Sequence, residues 1–162
     1  MNEMQTSVPA LLELPDVRAS VKCETPTALQ TCLIVSMSAR RAQLLVRAAH
    51  EEHWATIVCN CADDALRQAV RQRVQLALVD LQSAPAGRVK ALKQMVEQLA
   101  ARRMLMAVCG KPDDTTGEVW SRQLGVWMYL PGLDCQSDIA LLCAEARHVL
   151  EKLDGCAAKT GT

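Results

Sequence analysis

Five short apolar runs, each followed by a stretch of helical periodicity, constrain this chain more than any other feature. The runs are Cys32-Leu33-Ile34-Val35, Thr56-Ile57-Val58-Cys59, Leu76-Ala77-Leu78-Val79-Asp80, Met104-Leu105-Met106-Ala107-Val108 and Val126 to Leu130. A strand that is apolar at every position, rather than at alternate ones, is covered on both faces of its sheet, and parallel sheets provide that setting. Between the runs, apolar residues recur at helical spacing. Ser38 offers an N-cap oxygen before Ala42, Leu45, Val46 and Ala49. Asp63 or Asp64 starts a second helix with Ala65, Leu66, Ala69 and Val70 inward. Val89, Leu92, Val96 and Leu99 stripe a third. Pro112, Asp113 and Asp114 open a short fourth, and Gly125 follows it as a C′ residue. Asp134 or Ser137 begins a last helix striped by Ile139, Leu142, Ala146, Val149, Leu150 and Leu153. Right-handed crossovers between successive parallel strands place helices on both faces of one sheet.

The alternation sets the boundaries. Residues 1–29, interrupted by Pro9, Pro15 and Pro26, are expected to form a flexible leader. Within them Ala10-Leu11-Leu12-Glu13-Leu14 is an apolar island, open to being a docking segment or a loose extension. Residues 30–154 form the expected domain, and residues 155–162 a flexible tail that frays. Lys and Arg together number 18, as do Asp and Glu. A balanced charge argues against nucleic acid or an anionic membrane as partner. The cluster Arg67, Arg71 and Arg73 reads as a solvated helix face. Several of the eight cysteines fall in or beside apolar runs, where cysteine behaves as a small hydrophobe. With no secretory signal and no apolar stretch of about 20 residues, the expectation is a cytoplasmic protein.

Asp80 is the chemically distinctive residue. An acid at the carboxyl end of a parallel strand lies on the rim where open α/β sheets bind ligands. Other constellations are weaker. Cys59 and Cys61 with His50 and His53 offer four zinc-ligating groups, but their spacing is not that of a zinc motif, so no metal site is expected. His148 has no evident partner. Asp63-Asp64 and Asp113-Asp114 sit at helix starts, where the dipole favours negative charge without any catalytic role. No serine elbow, dinucleotide fingerprint or pair of carboxylates in a plausible cleft is present, so the chain is not expected to be an enzyme.

The strand Leu78-Val79-Asp80-Leu81, with Pro85 and Gly87 soon after, and the late run Gly125-Val126-Trp127-Met128-Tyr129-Leu130 resemble the CheY-like receiver domain of two-component signalling. The resemblance covers about Cys32 to Leu153. It implies an α/β fold of flavodoxin-like type, a three-layer αβα sandwich around a five-stranded parallel sheet in the order 2-1-3-4-5. It makes Asp80 the candidate phospho-acceptor and matches Tyr129 to the family's aromatic on the fifth strand. An active receiver pairs that aspartate with two further acids around Mg²⁺, a hydroxyl after the fourth strand and a lysine after the fifth. The corresponding positions here are Ser36 and Met37, Cys109, and Pro131 or Gly132. One carboxylate is a poor Mg²⁺ site, so no cofactor is expected unless Asp80 is phosphorylated. Lys111, from a neighbouring loop, is the one cation in sequence reach considered as a substitute.

The expectation is therefore a degenerate receiver that signals by protein–protein contact. The alternative is a stand-alone response regulator still phosphorylated on Asp80. The resemblance also implies a contact face formed by the fourth helix, fifth strand and fifth helix. That region carries Trp120, Trp127, Met128 and Tyr129. Strand alternation would put Trp127 and Tyr129 on one face. The implied partner is a kinase, a regulator or a second copy, the last giving a homodimer. The residues alone leave open whether Trp127 and Tyr129 face a partner or the core.

Overall fold

A computed structural model of the chain describes residues 29–157. Strands and helices alternate throughout: β1 (Thr31–Val35), α1 (Ala39–Glu51), β2 (Ala55–Cys59), α2 (Ala62–Arg71), β3 (Leu76–Asp80), α3 (Ala86–Ala100), β4 (Leu105–Gly110), α4 (Thr115–Gln123), β5 (Met128–Pro131) and α5 (Gln136–Ala157). The strands pair in parallel in the order β2-β1-β3-β4-β5. The expected α/β sandwich and strand order are both present. No described helix is long and apolar enough to cross a membrane.

Side-chain alternation along the strands divides the core in two. Leu33, Val35, Ala77, Val79, Met106 and Val108 pack with buried residues of α2 and α3, and Trp120 and Leu124 at the end of the α4 segment join them. Cys32, Ile34, Leu76, Leu78 and Ala107 pack with Leu45, Ala48 and Ala49 of α1 and Ile139, Leu142, Cys143 and Ala146 of α5. Removing this much apolar surface from water on both faces is the main term holding the layers together. It also explains why the central strand β3 is apolar from Leu76 to Val79, up to Asp80 at its end.

Several local expectations shift. Asp114 caps α4 rather than lying inside it: its Oδ1 accepts from Gly117 N–H at 2.8 Å. Cys61, not an aspartate, precedes α2, and Asp63 and Asp64 fall in its first turn. Val70 is not inward but 68% exposed, whereas Ala65 and Ala69 are buried. Helix α5 continues through Gly155 to Ala157, three residues past the expected end. Adding a residue to an existing helix is far easier than starting one, so a glycine near the terminus is tolerated. β5 starts at Met128, two residues later than expected, with a consequence for Trp127 described below. Residues 1–28 of the expected leader and the last five residues of the tail lie outside the described residues.

Candidate functional site

Asp80 ends β3 fully buried, with neither oxygen free. Its Oδ2 accepts a 2.8 Å hydrogen bond from Ser36 Oγ, just past β1. Its Oδ1 accepts from the backbone N–H of Ser83 at 3.2 Å. Ser36 Oγ in turn accepts from Ser38 N–H at 3.2 Å, which ties the carboxylate to the start of α1. Ser38 caps that helix, its Oγ accepting from Arg41 N–H at 3.3 Å.

The same turn supplies a cation that sequence reasoning missed. Arg41 Nε lies 3.7 Å from Asp80 Oδ2, an ion-pair distance rather than a hydrogen bond. The Arg41 side chain is only 11% exposed. Its Nη1 donates to the carbonyl of Leu133 and to Asp134 Oδ1, and its Nη2 lies 3.4 Å from Gln82 Oε1. One guanidinium on α1 thus joins the end of β3 and its loop to the loop after β5. A rigid planar fork suits such a junction, because it serves several acceptors while staying charged. Arg40 and Arg41 fall in the first turn of α1, which holds no acidic residue. The helix dipole disfavours cations there. A basic pair in that place was the available signal that a carboxylate stood opposite.

Cys109 pairs in register with Asp80 on β4. Its carbonyl accepts from Leu81 N–H at 2.9 Å and Gln82 N–H at 3.1 Å, closing the loop over Asp80. Burial, and next the neighbouring Asp80 charge, push its thiol up to about 12. Cys109 therefore presents a neutral S–H, a weak donor. Met37 turns away, half-buried against the core on the α2 and α3 side. Pro131 is exposed and pairs with Gly110. Gly132 has φ +63°, and a Cβ there would meet Pro112 Cγ at 2.8 Å. A lysine at Gly132 would be strained by both terms. Lys111 is exposed and lines an open cleft of about 560 Å³ with Gln82, Pro112, Asp113 and Asp114. It makes no ion pair with Asp80, which pairs with Arg41 instead.

These residues do not fit Mg²⁺. That ion takes six hard oxygen ligands in near-octahedral array. Here the positions of the two further acids hold the Ser36 hydroxyl, bonded to Asp80, and Met37, packed against the core. Asp80 Oδ2, the oxygen bonded to Ser36, also faces a guanidinium. A second cation at that oxygen would be repelled. Among the described residues, no group of three or more His, Cys, Asp or Glu is placed to hold a metal. Cys61 leaves the strand to precede α2, and His50 Nε2 lies 3.0 Å from Thr56 Oγ1, so the four zinc-ligating groups do not converge.

A second constellation lies at the other end of the rim. Tyr129 stands opposite Val108 on the α2, α3 and α4 side, with its hydroxyl 3.4 Å from the Asp114 carbonyl. A Cβ on Gly110 would sit 1.8 Å from Tyr129 Oη, and one on Gly117 would sit 3.1 Å from the same atom. The ring fills the space that Gly110 leaves, while beside Gly117 the Asp114 carboxylate stands closer still. Burial, and next the Asp114 carboxylate, raise its phenol above the ordinary value.

Trp127 does not share a face with Tyr129. It packs with Met128 and Leu130 on the α1 and α5 side. Trp127 precedes β5, so the two-residue period that orders the strand does not reach it. Trp120 is half-buried against the opposite core, with Nε1 donating to Glu97 Oε1 at 3.2 Å and Lys93 Nζ 4.9 Å from its ring centre. It is braced by α3 rather than projecting freely.

With this geometry in place, similarity to known proteins is informative. No family model matches the chain. Two response regulatory proteins of Mycobacterium tuberculosis strains, both named as uncharacterized, are 35% identical over 57 residues. That match covers 35% of this chain and 43% of theirs, so it spans less than half the length of those relatives. A CheY-like receiver domain protein from Methanospirillum hungatei superposes with a TM-score of 0.62 at 19% identity, over 82% of this chain and 99% of its own. The signal receiver domain of an HD domain-containing protein from Pseudomonas fluorescens gives 0.64 at 13% identity, over 76% and 98%. An orphan response regulator of H. pylori gives 0.59 at 12%, over 74% and 94%.

The fold is that of a receiver domain. These matches take in 94–99% of each of the three solved chains and 74–82% of this one. Within the receiver fold, Asp80 occupies the carboxyl end of the central strand β3, and Arg41 stands where this chain brings positive charge to it.

Proposed function

We propose that this chain is a receiver-like signalling module that works by protein–protein contact without efficient phosphorylation of Asp80. The observation that carries this reading is the Arg41 ion pair to a fully buried Asp80. Phosphoryl transfer to a carboxylate needs a reachable oxygen and a cation that neutralises the moving phosphoryl group. Here the side chain is closed off from solvent, and the cation is part of the protein. Ser36 and Met37 supply no carboxylates, Cys109 supplies a neutral thiol, and Gly132 supplies no ammonium. In this reading the four are degenerate site positions, and Arg41 holds the rim permanently in one arrangement by linking Asp80 to Leu133 and Asp134.

Contact with a kinase, a regulator or a second copy would then use the edge formed by α4, β5 and α5. β5 is an outer strand of the sheet, and Val119 and Leu141 are 50% and 70% exposed on the flanking helices. Edge strands and exposed apolar side chains suit partner docking. Trp120 would shape that edge from a braced position, and Tyr129 would support it from within. A cytoplasmic setting is consistent with the buried thiols Cys32, Cys59, Cys109 and Cys143.

Beryllofluoride with Mg²⁺ mimics an aspartyl phosphate and provides the test. Amide spectra of the full chain are expected to show no specific shifts at Ser36, Asp80 or Cys109. Saturable shifts there that disappear in Asp80→Asn would instead establish a working phospho-switch.

A further inference from the structure

Val70 is the observation that the core does not absorb. On a helix whose Ala65 and Ala69 are fully packed, it stands 68% exposed, one turn after the half-buried Leu66. The two lie at i and i+4, so they are neighbours on one helix face. Together with Arg67 and Arg71 they line a shallow depression of about 270 Å³ on the outside of α2. Arg67, Arg71 and Arg73 are all exposed. Arg67 pairs with Asp64, and neither Arg71 nor Arg73 has an ion pair among the described residues. Arg102 Nη1 reaches the Ala69 carbonyl, placing a further guanidinium near the same helix end. The face is an apolar ridge bordered by positive charge.

The chain enters the domain beside it. Thr31 N–H donates to Gln75 Oε1 at 2.7 Å, and Gln75 N–H donates to the Thr31 carbonyl at 3.0 Å. Gln75 follows α2 by four residues, so residues 1–28 join the domain at the end where α2 finishes. Leu29, the first described residue, is 65% exposed. Those preceding residues contain Ala10-Leu11-Leu12-Glu13-Leu14-Pro15-Asp16, three leucines interleaved with two acids. Ahead of Arg18 the only charged side chains are Glu3, Glu13 and Asp16, all negative. Leu14 precedes Gln30 by 16 residues. At about 3.3 Å per extended residue, such a connection reaches roughly 50 Å, several times the length of α2.

We propose that the segment Ala10–Asp16 of this same chain docks on the outer face of α2. Its leucines cover Leu66 and Val70, and Glu13 and Asp16 lie among Arg67, Arg71 and Arg73. Apolar burial supplies the attraction, and opposite charge fixes the placement. Tethering makes the encounter intramolecular, so a small patch suffices where free association would fail. This inference is independent of the chemistry at Asp80.

The test uses the full chain and two reciprocal variants, Leu12→Asp and Val70→Asp. Leu12→Asp is expected to shift amide resonances from Leu66 to Arg73 while leaving those around Asp80 in place. Val70→Asp is expected to speed amide exchange at Leu11 to Leu14 by about tenfold, the mark of a lost local protection. Both effects should be the same in dilute and concentrated protein. Unchanged α2 resonances in Leu12→Asp would overturn the proposal. So would effects that grow with protein concentration, since these would assign the face to a second copy. Leu12→Asp alters no packed position of the described domain, so its result stands even if Val70→Asp disturbs α2.

Discussion

The two ends of the rim above the sheet are each held in one arrangement, but by opposite means. Asp80 is held by charge: a guanidinium, a hydroxyl and a backbone N–H account for both of its oxygens. Tyr129 is held by shape: its ring occupies the space of the side chain absent at Gly110, and its single hydroxyl contact is long at 3.4 Å. A charged lock fails when a charge is removed, and a steric lock fails when volume is added. The comparison therefore predicts which kind of substitution each end tolerates.

The largest effect is expected at the charged end. Arg41→Met keeps much of the side-chain volume but leaves a buried carboxylate uncompensated. Breaking such a pair costs roughly 3–5 kcal/mol. Adding Asp80→Asn should recover most of that loss, because the remaining group is neutral. Urea unfolding of the two singles and the double variant measures this coupling. Equal losses that simply add would mean that Arg41 acts through packing alone.

At the steric end, Gly110→Ala is expected to cost about 1–3 kcal/mol by overpacking against the tyrosine ring. The cost should shrink when Tyr129→Ala is made alongside, since the clashing atoms are gone. A penalty unchanged by Tyr129→Ala would place the strain elsewhere. Tyr129→Phe, by contrast, should cost about 0.5 kcal/mol or less, because the hydroxyl contributes one weak contact. A larger loss would show that Tyr129 too is held by a polar interaction.

Alkaline pH tests the charged end in a milder way. Burial raises the Cys109 and Cys143 thiols to about 12, whereas an unfolded thiol titrates near about 8.5. Below the unfolded value both states carry the proton and stability is constant. Above it the unfolded state loses protons first, so stability falls from about pH 8.5 towards 12. Cys109→Ala should flatten part of that fall in a urea-midpoint series. A slope unaffected by the substitution would assign the alkaline loss to other groups.

Much of this architecture is legible in the residues, because burial on both faces of a parallel sheet leaves continuous apolar runs. Leu76–Asp80 marks β3 to the residue. What escaped depends on geometry between elements. Arg41 lies 39 residues before Asp80 and shares no motif with it, and only the misplaced charge at a helix start hinted at a partner. The Tyr129 corner needs Gly110 from the neighbouring strand, whereas Gly117 has a local reason, since a Cβ there would meet the Asp114 carboxylate that caps α4. Trp127 was set on the wrong face because a two-residue period was extended past the start of a four-residue strand. Val70 was set inward because helical spacing gives a stripe but not how wide a stripe the neighbours cover.

Whether Arg41 leaves Asp80 unable to accept a phosphoryl group is tested most directly by exposing the full chain to acetyl phosphate and Mg²⁺ and weighing it intact. The ion pair predicts unmodified protein throughout. A phosphoryl adduct that forms in the wild type and is absent from Asp80→Asn would contradict it.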